Sequence, residues 1–99
     1  MILREGNKIN IQGSVAIDNV VAMTAQGIAL LKGGRLLVDF SEVEEVDSSI
    51  VSMLLEWLRE ANRLGCQLHF VNMSESLQSL IQLYGVSEFF LFEGTSKNT

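Results

Sequence analysis

Leu36-Leu37-Val38-Asp39-Phe40-Ser41, then Glu42-Val43-Glu44-Glu45, then Val46-Asp47-Ser48-Ser49, is the stretch that decides the fold. The unbroken apolar run Leu36-Leu37-Val38 predicts a central strand covered on both faces. From Ile50 to Leu64 the period changes. At about 100° per residue, Ile50, Leu54, Trp57, Leu58 and Ala61 fall on one arc and Ser49, Ser52, Glu56, Glu60 and Arg63 on the other, with Met53 at the margin. A strand therefore hands over to a helix at Asp47-Ser48-Ser49. The first amides of a helix have no intrahelical acceptor and its dipole is positive there, so these polar side chains lie where a phosphate or a partner's polar group is readily received.

Working outward, Met1 to Arg4 and Lys8 to Gln12 read as a hairpin around Gly6-Asn7, with Ile9 and Ile11 alternating with polar neighbours. Asp18 is a candidate N-cap for a helix reaching Lys32, with Val21, Ala25, Ile28 and Leu31 at helical spacing and Gly33-Gly34 ending it. Gln67 to Val71 predicts another strand. Ser74 or Ser76 opens a helix with Leu77, Leu80, Ile81 and Tyr84 on one face, stopped by Gly85, and Phe89 to Phe92 form a last short strand. Alternating strands and helix-sized crossovers predict an α/β fold, a mixed and mostly parallel sheet of four to five strands with about three helices. One domain spans residues 1–93, and residues 94–99 read as a flexible tail.

Composition narrows the function. With 99 residues, 47% of them hydrophobic, the chain supports one core. A net charge of −5 disfavours nucleic acid and anionic lipid as direct ligands. The single Cys66 reads as a small buried hydrophobe in a reducing compartment. No apolar run is long enough to span a bilayer, so the expectation is a cytoplasmic protein that reaches the inner membrane only through a partner.

The inventory for catalysis is poor. His69 is the one histidine and lies inside a predicted strand, Ser49 has no neighbouring base in sequence, and Gly33-Gly34 lacks the Lys-Ser or Lys-Thr of a phosphate-binding loop. Glu42, Glu44 and Glu45 read as a solvated loop without the spacing of a calcium site. The expectation is a non-enzyme with no cofactor and no metal. Trp57 and the phenylalanines read as core. Asp47 or Ser48 can serve as the helix cap, which leaves Ser49 on the outward face.

The segment Leu37 to Ser49 resembles the signature of STAS domains, the family of bacterial anti-sigma factor antagonists: an apolar strand ending in Asp, a short loop, then Asp-Ser-Ser-Gly-Leu or Asp-Thr-Gly-Gly-Leu opening a helix. The likeness runs from about Lys8 to Phe92 and includes Ile17-Asp18 and Tyr84-Gly85-Val86. It implies two branches. Antagonists switch partners when a kinase that is also the anti-sigma factor phosphorylates the serine matching Ser49. MlaB-like proteins are small subunits of a phospholipid-transporting ABC system, serving intermembrane lipid transport and outer-membrane lipid asymmetry, and are bound to its ATPase with the residue matching Ser48 at the contact. The short chain and the Leu83-Tyr84-Gly85-Val86 helix end look closer to the MlaB-like branch. The resemblance implies Asp47, Ser48, Ser49, Ser52, Met53 and Glu56 as partner-binding residues and Ser49 or Ser48 as a phosphorylation site. Ile50 stands where the family usually has Gly, and it predicts added bulk where a partner approaches.

Overall fold

A computed structural model describes residues 1–90. The elements are β1 (Ile2–Glu5), β2 (Lys8–Val15), α1 (Val20–Ala29), β3 (Arg35–Val46), α2 (Ser49–Leu64), β4 (Gln67–Val71), α3 (Glu75–Leu83) and a single 3-10 turn, Ser87–Phe89. The sheet order is β1-β2-β3-β4, antiparallel at the hairpin and parallel across the other two pairs. This is the mixed, mostly parallel α/β sheet with three helices that the sequence predicts. Of the expected last strand, Phe89 belongs to the 3-10 turn and Phe90 is extended. Leu91 and Phe92, and the expected tail, lie outside the described residues.

The monotonic strand order has a consequence for the layers. Both crossovers, β2-α1-β3 and β3-α2-β4, step in the same direction, and right-handed connections then put their helices on the same face. Among the described residues no helix covers the opposite face. Leu36 and Val38 are fully buried beneath the helices, whereas Leu37 between them is 36% exposed. The expectation of a strand covered on both faces is therefore corrected: the sheet is two-sided, and its apolar run alternates inside to outside. His69, the register partner of Leu37, lies half-buried on that outer face with its Nε2 unpartnered among the described residues.

One core joins Ile9, Ile11, Leu36, Val38, Phe70, Leu54, Trp57, Leu77 and Ile81. Trp57 is its pivot. Its indole is fully buried against α1, and Nε1–H donates to the Thr24 carbonyl at 3.0 Å. A Cβ added at Gly27 would sit 2.1 Å from Trp57 Cζ2, so only glycine lets the two helices approach this closely. That contact sets the rotation of α1. Its buried row is Val20, Met23 and Gly27, while the expected core residues Val21 and Ala25 face outward and Ile28 is only half-buried. The start of α1 also differs from the Asp18 reading. Asn19 precedes the helix and braces the loop, accepting from Ala16 N–H at 2.9 Å and donating to the Ser14 carbonyl at 2.9 Å. At the other end the Arg4 guanidinium donates to the carbonyls of Leu30 (2.7 Å) and Lys32 (3.1 Å), a cation on the negative end of the helix dipole.

Strand β3 does not stop at Ser41. It stays paired with β2 through two register shifts, so Glu42, Glu44 and Glu45 belong to a strand, not to the expected loop. Asp39, where β4 pairing ends, is buried. Its Oδ1 accepts from Ser41 N–H (2.9 Å) and from the Asn72 side chain (3.0 Å), and Lys8 Nζ lies 3.6 Å from Oδ2. Burial pushes this carboxyl's pKa up, but the Asn72 and Ser41 hydrogen bonds and the Lys8 charge outweigh it and hold the group below its ordinary value. The bond to Asn72, which sits at φ 63°, fixes the turn that launches α3. Ser74 is that helix's cap, accepting from Leu77 N–H at 3.1 Å. Tyr84, expected on the core face of α3, is exposed.

Candidate functional site: the start of the second helix

The parallel strands β2, β3 and β4 run in one direction, so the loops after them gather at one end of the sheet. Asp47 ties two of these loops together. Its backbone N–H donates to the Val15 carbonyl at 3.1 Å, its Oδ2 accepts from Ile17 N–H at 3.0 Å, and its Oδ1 accepts from Ser49 N–H at 2.9 Å and from the Ser49 hydroxyl. Asp47, not Ser48, thus satisfies the free amide at the head of α2, in the side-chain-to-backbone turn that Asp favours. The Ser49 hydroxyl and amide, together with the Ile17 amide, hold the Asp47 carboxyl below its ordinary range against a weaker push from desolvation. It is a fixed anion.

The two serines consequently differ. Ser49 is half-buried and its hydroxyl is engaged by Asp47, in contrast to the free outward hydroxyl that the helical arc suggests. Ser48 is exposed, lies in helical backbone geometry, and its hydroxyl has no hydrogen-bond partner among the described residues. One turn on, Ser52 is exposed and donates to the Ser49 carbonyl at 3.0 Å. Glu56 is half-buried and paired with Arg59, and Glu60 pairs with Arg63 at 2.8 Å. Two expectations are corrected. Met53 is only 1% exposed, because α2 buries a wider arc than its strongest apolar positions define, so its side chain is not available to a partner. Ile50 is fully buried and faces the core, so it adds no bulk to the surface.

A feature that sequence reasoning missed adjoins these hydroxyls. Val20, Val21, Thr24, Ala25 and Ile28 of α1 form, with Ser52 and Glu56 of α2, an open groove of about 420 Å³. Val21 is 80% exposed on its rim, and Ile17 in the Asp47-bound loop is also exposed. An apolar groove with the exposed Ser52 at its edge has the make-up of a protein-contact surface. The available signal was the second apolar row of α1, Val21, Ala25 and Ile28, lying beside Val20, Met23 and Gly27. Choosing between the rows requires the Gly27–Trp57 approach.

Among the described residues no group of three or more His, Cys, Asp and Glu side chains converges to hold a metal ion. Cys66 is buried, which pushes its thiol pKa up, away from the reactive thiolate, with Arg4 opposing. No helix among the described residues is long and apolar enough to cross a membrane.

Comparisons with known proteins agree with this architecture. An anti-sigma factor antagonist from Mycobacterium paratuberculosis superposes with a TM-score of 0.77 at 16% identity, covering 96% of this chain and 84% of that one. One from Thermotoga maritima, described as a putative antagonist, gives 0.75 at 14% identity, covering 100% and 86%. The unphosphorylated anti-sigma factor antagonist SpoIIAA gives 0.73 at 16%, covering 93% and 85%, and a phosphorylated form of the Bacillus protein gives 0.67 at 17%, covering 93% and 88%. At such identities these likenesses establish the fold. No curated protein matches the sequence. The family model described as "Mlab, STAS domain" matches residues 2–93, and this chain belongs to that STAS-domain family.

Proposed function

We propose that this chain is a non-catalytic cytoplasmic subunit that binds and regulates the ATPase of an MlaB-type phospholipid ABC transporter, and so serves intermembrane lipid transport and outer-membrane lipid asymmetry. The observation that carries the reading is the exposed Ser48 hydroxyl at the head of α2, unpartnered among the described residues and one turn before Ser52, which lines the apolar groove between α1 and α2. The partner's loop hydrogen-bonds Ser48 and Ser52, and an apolar side chain of the partner enters the groove against Val21 and Ala25. Asp47 acts indirectly, by holding the loop in one shape before the partner arrives, which lowers the ordering cost of binding. Regulation follows if this surface fits one arrangement of the ATPase better than another. The family description, which carries the MlaB name, supports the same branch. Membrane association then comes through the transporter.

The test is affinity purification of the tagged protein from native cytoplasmic and membrane fractions. Recovery of an ABC ATPase is expected in the membrane fraction. A histidine-kinase-like anti-sigma factor in its place would refute the reading.

A second reading, an anti-sigma factor antagonist, is favoured by the fold neighbours and predicts phosphate on Ser49. In this chain the Ser49 hydroxyl already donates to Asp47, so phosphorylation would replace a hydrogen bond with two facing anions. The helix N-terminus would offset part of that repulsion. Mass spectrometry after incubation with the cognate kinase and ATP separates the two readings.

A further inference from the structure

Helix α1 carries two apolar rows, and the core of this chain takes up one of them. Val20, Met23 and Gly27 are buried, whereas Val21 and Ala25 are exposed and Ile28 is half-buried. At about 100° per residue these last three share one narrow arc. One turn earlier Ile17 is 75% exposed, and the Val20 amide, donating to the Ala16 carbonyl at 2.9 Å, already closes a helical turn there. At the rise of a helix the stripe from Ile17 to Ile28 is about 16 Å long, the length of three turns. Its α1 part is one wall of the groove of about 420 Å³ whose other wall is Ser52 and Glu56. Between Gly13 and Leu31 the only charged side chain is Asp18, at the head of the stripe, where Asp47 also stands with its Oδ2 on the Ile17 amide. On the α2 wall Glu56 is paired with Arg59. The head of the groove is therefore acidic. At its last described residues the chain lies on the other flank of α2, with Phe89 beside Leu55, Leu58 and Asn62, and Phe90 against Phe70 of β4 at 5.2 Å between ring centroids.

We infer that this groove receives an amphipathic helix of the partner protein, with a lysine or arginine at the end that lies over Asp18 and Asp47. The inference rests on the reading of the Ser48 end as a protein-contact surface, with which the groove is continuous through Ser52, and it names the kind of segment that docks there. Both walls are helices, whose interior backbone groups are bonded along each helix, so the groove offers no main-chain partners. An extended segment would bring unpaired amides onto apolar surface. A helix arrives with its own backbone satisfied and presents side chains at the three- and four-residue spacing of Ile17, Val21, Ala25 and Ile28. The small side chain of Ala25, between Val21 and Ile28, lets the incoming helix approach closely. The exposed acidic head then selects a basic residue over an acidic one at that end.

The test places p-benzoyl-phenylalanine at Val21 and, separately, at Ser48, in full chains expressed in native cells, and sequences each photo-crosslinked peptide. Expected at Val21 is a segment of the same protein that is crosslinked at Ser48, with apolar residues three and four apart and a lysine or arginine within two turns of the crosslink. The exposed substitution Asp18→Lys should lower the Val21 crosslink yield by about tenfold without changing the circular dichroism spectrum. A Val21 crosslink to a segment lacking that pattern, to a lipid, to a second copy or to residues of this chain after Phe90 would overturn the inference, as would no crosslink there or an unchanged yield in Asp18→Lys. If any of these came with a Ser48 crosslink to an ABC ATPase, the reading of the Ser48 surface would stand while this inference fell. Absence of a protein crosslink at both positions would remove both.

Discussion

Replacing Gly27 by alanine sets two effects against each other whose signs differ. By helix propensity alone the change should stabilise α1 by about 1 kcal/mol. The added Cβ, however, would lie 2.1 Å from Trp57 Cζ2 and 2.2 Å from Cε2. Both atoms belong to a rigid, fully buried indole that cannot swing aside as the end of a flexible side chain would. Overpacking of this kind costs about 1–3 kcal/mol. Moving the indole also weakens the bond from Nε1–H to the Thr24 carbonyl, at roughly another 1 kcal/mol. The sum is a net destabilisation of about 2 kcal/mol once propensity is subtracted, a fall in Tm of about 8–16 °C for a domain of this size. Thermal and urea unfolding of the wild type, Gly27→Ala, Trp57→Phe and the double variant measure it. In the Trp57→Phe background the smaller ring leaves room, and the alanine should cost little or gain the propensity term. A Gly27→Ala protein as stable as the wild type, or equal costs in both backgrounds, would refute the claim that this contact sets the position of α1.

Three further outcomes follow from the same structure. Asp39→Ala should cost about 1–3 kcal/mol, because it strips the Asn72 side chain and the Ser41 amide of their buried acceptor, and urea unfolding reads it. The Asp39 and Asp47 carboxyls both titrate below their ordinary value of 3.8 in the folded chain, so the unfolded chain binds more protons in acid. Their stabilisation is full above about pH 5 and is lost as pH falls through the folded-state values; Asp47→Asn should flatten the stability profile below about pH 4. Gly65→Ala should cost about 1–2 kcal/mol at the end of α2, because Gly65 sits at φ 72° with nothing within 4 Å of the added Cβ, so the backbone alone sets the penalty. A neutral Gly65→Ala variant would mean that the helix end relaxes to another cap.

The elements legible in the sequence are those whose period and boundaries agree. Ile50 to Leu64 carries a clean helical arc ending in Gly65, and the structure has a helix there with Ile50, Leu54, Trp57 and Ala61 buried. The hairpin and β4 follow from alternation and turn residues in the same way. What could not be read depends on contacts far apart in the chain. Val21 and Val20 begin equally good apolar rows, and only a glycine meeting a tryptophan on another helix selects between them. Glu42 to Glu45 have the composition of a loop, yet pairing with β2 keeps them in a strand. The even apolar run of β3 gave no sign that, among the described residues, one face lacks a helix, because that follows from strand order and crossover handedness. At the site, capping at the head of α2 was legible, but the division of labour was not. Asp47 turns toward Ile17, in the loop before α1, and Ser49, the first residue of α2, and leaves Ser48 outside these bonds.

The central claim is that another protein grips the exposed Ser48 hydroxyl at the head of α2. Its most direct measurement is co-purification of the transporter ATPase with Ser48→Arg and Ser48→Glu variants, alongside circular dichroism to show that each retains the wild-type fold. Ser48 is exposed and its hydroxyl makes no hydrogen bond among the described residues, so both variants should fold normally and lose the ATPase. Undiminished recovery of the ATPase with both variants would contradict the account.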